Sequence, residues 1–132
     1  MIEAVASLAE VSFAVIGEVV GSRGQELVRY DSMRALLELA GGDAAEIVIE
    51  SRERMLRNVG QNRTDHRAIV DARHAGDVSP LLRYRWADKT DPLVWAPDAI
   101  AGMALATRHS NASWLELFAD AGGDLRMVDI TP

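Results

Sequence analysis

Residues 91–103 read Asp91-Pro92-Leu93-Val94-Trp95-Ala96-Pro97-Asp98-Ala99-Ile100-Ala101-Gly102-Met103. A turn feeds a helix here. Pro92 and Pro97 both suit the first turn, where a missing N–H is tolerated, so the spacing predicts a bent or two-step entry with Asp98 in the opening turn. Immediately upstream, Leu82-Arg83-Tyr84-Arg85-Trp86 alternates, with Leu82, Tyr84 and Trp86 on one face and two arginines on the other. Strict alternation predicts a strand with one wet face. A strand that hands over to an apolar helix is the hallmark of an α/β chain.

The same logic extends outward. Residues 11–20 (VSFAVIGEVV) are β-branched and apolar on both alternating faces, the pattern of a strand covered on both sides. Ser22 and Gln25 have capping-box spacing. Tyr30, Met33, Leu36, Leu37 and Ala40 then recur at helical intervals up to a Gly41-Gly42 stop. Residues 46–50 (EIVIE) form a second strand, so residues 11–50 are expected to make a β-α-β unit with parallel strands. The 53–63 stretch is polar and loop-like. A helix capped by Asn62 or Thr64 should run to Ala75 and close at Gly76; its apolar content is thin, which predicts a surface position. Ser113 and Glu116 have capping-box spacing for a short helix broken by Gly122-Gly123, and residues 125–130 close the chain as a weak strand. Ile2, Val5 and Leu8 suggest a short helix at the start. Gly102, flanked by Ala101 and Ala104, is expected to let its helix approach a sheet closely.

A chain of 132 residues with 48% hydrophobic residues is expected to form one layered α/β domain spanning 1–132, with strands near 11–20, 45–50, 81–87 and 125–130. The 82–86 strand is open to either direction. Without cysteine there is no disulfide framework, thiol nucleophile or cysteine zinc site. The start lacks a signal-peptide pattern, and no apolar run nears the roughly 18 residues that span a bilayer. A soluble, cytoplasmic bacterial protein with no membrane partner is the expectation. The net charge of -6 opposes nonspecific nucleic-acid binding, which needs a positive surface. Lys89 is the only lysine among the basic residues, and heavy arginine use also follows from a GC-rich genome.

Chemistry-bearing residues each have an ordinary reading beside a functional one. His66 and His74 stand eight apart, unlike the paired histidines of a zinc helix. No GxSxG, Walker loop or GxGxxG occurs. The Gly21-Ser22-Arg23-Gly24 turn offers amides to an anion, though a plain helix entry explains it as well. Asp65 and Asp71 are expected to be surface charge, and Arg83 and Arg85 to keep a sheet face soluble or to meet phosphates. Glu50 ends a strand, where sites of parallel sheets gather, and Asp98 begins a helix. Brought to one edge, the two carboxylates would share a divalent cation such as Mg²⁺ or Mn²⁺, the hard-oxygen arrangement used in metal-assisted phosphodiester hydrolysis. A dipole role for Asp98 and an ion pair from Glu50 to Arg52 or Arg54 are the ordinary alternatives.

The run Ile47-Val48-Ile49-Glu50-Ser51-Arg52, then Arg63-Thr64-Asp65 opening a helix, then residues 91–102 resembles a group of actinobacterial proteins similar to the RNase H-like domain-of-unknown-function family thirty-eight hundred. The resemblance covers residues 3–130. It implies an RNase H-like sheet with acids on the first strand, a later strand and the final helix. Glu50 and Asp98 match the second and third; they would be catalytic residues and metal ligands, with Arg52 as a phosphate contact. Family members open with a strand carrying Asp-Glu-Ser, and nothing before Val11 matches it, so the chain looks like the C-terminal part of that domain. Two functions follow as expectations: a metal-dependent, nuclease-like protein with an incomplete site, or a noncatalytic interaction or dimerisation module that keeps the fold. A sheet lacking its usual first strand exposes edges that invite a homodimer.

Overall fold

The computed structural model describes residues 12–17, 24–52, 62–109 and 113–130. Along the chain run β1 (Ser12–Ile16), α1 (Gln25–Ala40), β2 (Glu46–Glu50), α2 (Asn62–Ala75), β3 (Arg83–Ala87), α3 (Pro92–His109), α4 (Ser113–Asp120) and β4 (Leu125–Asp129). The chain is therefore mixed α/β, with four strands and four helices among the described residues. The expected helix over residues 2–8, Ser22 and positions 53–61 of the loop expected over 53–63 lie outside them; Asn62 and Arg63, the end of that expected loop, belong to α2.

The strands form two separate two-stranded sheets, β1 with β4 and β2 with β3, both parallel. This corrects the expected β-α-β unit over residues 11–50. β1 and β2 share no ladder: Ser12 aligns with Leu125 and Ile16 with Asp129, while Glu46 aligns with Arg83 and Glu50 with Ala87. The crossover helix is α2, which carries the chain from β2 to a parallel β3. Parallel pairing settles the direction of β3, whose alternation holds as expected, with Tyr84 and Trp86 half-buried and both arginines exposed.

Two apolar clusters hold the elements. One joins Leu37 of α1, Ile49 of β2, Ala68, Ile69 and Ala72 of α2, and Val78 and Leu82, with Tyr84 and Trp86 packed on it. The other joins Ala14 of β1, Ile100, Met103 and Ala104 of α3, and Phe118 of α4, with Leu125 against it. α1 packs on α2 and also touches β1, and α3 touches both β1 and β2, so neither cluster stands apart.

α2 is not the surface helix its composition suggested. Ala68, Ile69 and Ala72 are fully buried, and so is Asp65. These four positions follow i, i+3, i+4, i+7, one helical stripe. Small side chains make that stripe look thin, yet they let α1 come close.

Helix ends follow local chemistry. α1 is capped by Gly24, whose carbonyl accepts from Leu27 and Val28, with no side-chain bond at the cap among the described residues. Gly41 closes α1 as expected and leaves no room for a larger residue, since a Cβ there would lie 2.6 Å from the Val78 side chain. Asn62 and Thr64 lie inside the first turn of α2 and bond outward to other elements instead of capping it. Gly76 and Gly122 take the left-handed backbone that ends α2 and α4. α3 starts at Pro92, with Asp91 Oδ1 accepting from the Leu93 N–H at 2.9 Å. The helix then runs through Pro97, which removes one internal hydrogen bond. Gly102 is exposed with open space around it, so it mediates no close approach among the described residues.

Candidate functional site

Parallel pairing of β2 and β3 brings their C-terminal ends to one edge, where Ser51 N–H donates to the Ala87 carbonyl at 2.8 Å. Glu50, Ser51, Arg52, Asp88, Lys89 and Asp91 gather there, and α3 departs from the same edge. The position is that of ligand sites in open parallel sheets.

Glu50 is the last residue of β2 and lies 3.9 Å from Lys89 Nζ. Of the two arginines expected as ordinary partners of Glu50, Arg54 lies outside the described residues and Arg52 turns elsewhere. The Arg52 guanidinium is held instead by Glu26 of α1, Nη1 to Oε1 at 2.7 Å and Nη2 to Oε2 at 3.2 Å. The Thr64 hydroxyl donates to the same Glu26 carboxylate. Asn62 completes the knot: its amide nitrogen donates to the Ser51 hydroxyl at 3.0 Å and its oxygen accepts from the Arg52 N–H at 3.1 Å. Hydrogen bonds from Arg52 and then Thr64 hold the Glu26 carboxyl down at about 2. Glu26 in turn raises the Arg52 guanidinium above its ordinary value, against the opposing effect of burial. The Ser51-Arg52 turn, α1 and α2 are thus pinned at one point.

Asp98 falls in the second turn of α3, not the first, because capping by Asp91 sets the helix start six residues upstream of Pro97-Asp98. It is exposed. Among the described residues no group of three or more His, Asp or Glu side chains is arranged to hold a metal ion. Glu50 faces a lysine, an ammonium that competes with a cation for the carboxylate. Among the described residues no third donor joins the two carboxylates in the way that two-metal phosphodiester chemistry uses.

The arginines of β3 are engaged within the chain. Arg85 Nε lies 3.1 Å from Glu46 and its Nη1 3.4 Å from Asp91, and Arg83 lies 3.8 Å from Glu46. His66 Nδ1 is 2.7 Å from the Tyr84 hydroxyl.

Asp65 was expected to be surface charge, and the structure reverses that. It is fully buried and takes a two-pronged bond from Arg29 of α1, at 2.9 Å on both oxygens. Asp71 accepts from the Tyr30 hydroxyl, again from α1. The signal for Asp65 was present in its spacing from Ala68, Ile69 and Ala72. Glu26, by contrast, has no sequence signal: nothing local ties it to residues 26 and 38 positions downstream.

The chain has no match among protein-family models, curated proteins or solved structures. No helix among the described residues is long and apolar enough to cross a membrane.

Proposed function

We propose that this chain is a noncatalytic interaction module whose fold is completed by association. One observation carries the reading: among the described residues four strands are split into two parallel pairs, so each strand hydrogen-bonds to a described neighbour on one side only. The other edge presents backbone N–H and C=O groups that pair readily with another strand. Parallel sheets are ordinarily continuous and covered on both faces, and two-stranded ones gain little stability by themselves. The network at the C-terminal edge of β2 supports the same reading. Arg52 is committed to Glu26, and Glu50 to Lys89, so the polar groups there act as structural ties.

The test is solution mass by light scattering joined to amide exchange. Self-association by about 100 µM, with strand amides protected only in the associated form, is the expected result. A one-chain mass at that concentration, with strand amides exchanging identically at every dilution, would sink it.

A metal-dependent, nuclease-like activity is the second reading. What favours it is that α3, which carries Asp98, touches β2, which ends in Glu50. In that reading the two carboxylates hold Mg²⁺ or Mn²⁺ and Arg52, released from Glu26, meets a phosphate. Calorimetric titration with Mn²⁺ separates the readings: saturable binding lost in Glu50→Gln/Asp98→Asn supports the second, and no heat up to millimolar metal removes it.

A further inference from the structure

Successive residues of a strand turn their backbone N–H and C=O groups to alternate edges, so one known bond fixes the direction of all the others. In β2 the Ala45 carbonyl accepts from the Arg83 N–H, and the Ser51 N–H donates to Ala87. Ala45, Ile47, Ile49 and Ser51 therefore face β3, while Glu46, Val48 and Glu50 turn their groups to the opposite edge. In β1 the Ile16 carbonyl accepts from the Ile130 N–H. Ser12, Ala14 and Ile16 thus face β4, and Phe13 and Val15 face away from it. Neither outward set enters a ladder among the described residues.

The helices set these two edges opposite each other. Glu26, in the first turn of α1, holds Arg52, two residues past β2, at 2.7 Å. A Cβ on Gly17, one residue past β1, would lie 2.9 Å from Val28 of the same helix. The C-terminal ends of both strands thus meet the start of α1, level with each other. α3 also touches both strands, and Ala14 packs in one cluster with its Ile100 and Met103. Ala14 and Gly17 fall on opposite faces by alternation, so β1 has α3 on one face and α1 on the other. With β4 and β3 already beside them, β1 and β2 have each other on the remaining side.

We infer that these edges are a seam that closes within one chain, drawing the two sheets into a single parallel sheet of order β3-β2-β1-β4. This structure shows the seam open. Level ends fix the register, with Ile16 beside Glu50 and Val15 beside Ile49. The Val15 N–H then donates to the Val48 carbonyl, and the Glu50 N–H donates to the Val15 carbonyl. Phe13 meets Glu46 and Val48 in the same way. The alternation agrees on both strands, because Val15 turns towards β2 where Ile49 turns towards β3. Closure gives partners to groups that are costly to leave unpaired where helices shut out water. The inference rests on the interaction reading above, that unpaired strand edges take up a strand, and it narrows that reading. Association falls to the outer edges of β3 and β4, whose amides are then the ones protected by it.

Isotope-filtered NMR on a mixture of labelled and unlabelled full chains at about 100 µM tests the seam, with amide exchange on the same sample. Expected are intrachain NOEs from the Val15 amide proton to Ile49 and from the Glu50 amide proton to Ile16. The Val15, Val48 and Glu50 amides should exchange within about tenfold of Ile47 and Ile49. The same NOEs found only between labelled and unlabelled chains would overturn the seam and leave association standing. Their absence from both sets overturns the seam whatever the exchange rates. Intrachain NOEs in a sample whose mass is that of one chain would remove self-association and keep the seam.

Discussion

The half of the chain built on β2 and β3 and the half built on β1 and β4 solve the same packing problem differently. In the first, α1 and α2 close over the sheet and are tied by side chains from distant parts of the sequence: Arg29 to Asp65, Tyr30 to Asp71, and Glu26 to Arg52 and Thr64. In the second, α3 and α4 meet β1 and β4 around a smaller cluster centred on Phe118. Of the nine large hydrophobic residues exposed among the described residues, six lie on α3, α4 and β4. The β2–β3 half ties its helices together with polar contacts; the β1–β4 half leaves more apolar surface exposed.

The largest effects should come from the two cores. Phe118 is almost wholly buried, and Phe118→Ala should cost about 3–5 kcal/mol in chemical denaturation. If the halves differ as described, amide exchange in this variant rises first in α3, α4 and β4, while α1 and α2 stay protected. Simultaneous loss of protection in all helices would break the comparison and make the clusters one cooperative unit.

Next is the buried ion pair, where the two single substitutions should differ. Arg29→Met leaves a fully buried carboxylate without its cation and should cost about 3 kcal/mol. Asp65→Asn removes the charge from the buried position and leaves Arg29, 37% exposed, able to reach water; the cost should be about 1–2 kcal/mol. Equal losses would mean that the pair's charge is not what α2 depends on.

A sharper test of the second core is Gly123→Ala. A methyl group there would press into the Phe118 ring, and the expected loss is about 1–3 kcal/mol. In Phe118→Leu the same change should be better tolerated, which double-mutant analysis of thermal unfolding would register.

Most helices and strands were legible because periodicity and glycine stops are local. The 30–40 stripe and its Gly41 stop gave α1, alternation gave β3, and Gly122-Gly123 ended α4. What misled was pairing and burial. A β-branched run at 12–16 says that a strand is covered, not that its neighbour is β4, more than a hundred residues on. Alanine carries little hydrophobic weight, so composition points α2 to the surface although Asp65, Ala68, Ile69 and Ala72 share one buried stripe. At the candidate site, Glu50 stands at a strand end as its sequence predicts, while the Arg52 partner Glu26 lies on a helix that no local pattern connects to it. Asp98 slipped one turn because two prolines both look like helix starts, and only the Asp91 cap decides between them.

The smallest expected effect concerns that Glu26–Arg52–Thr64 knot, and it sharpens the contrast because it is polar and mostly at the surface. The folded-state pKa of Glu26 is held down at about 2, against an ordinary value of 4.5. A carboxyl whose folded value is depressed adds stability that is fully present above its unfolded value and fades as pH falls towards the folded one. Between pH 4.5 and about 2, then, protons bind the unfolded chain first and the tie weakens. Glu26→Gln should remove this slope: its stability at pH 7 should fall by less than about 1 kcal/mol, since the carboxylate is 53% exposed and screened, and the gap to the wild type should close as the pH approaches 2. Were the two curves to stay parallel across that window, Glu26 would not be charged against Arg52 in the folded chain, and the polar ties of the β2–β3 half would have to rest on contacts such as those of Asp65, Asp71 and Asp77.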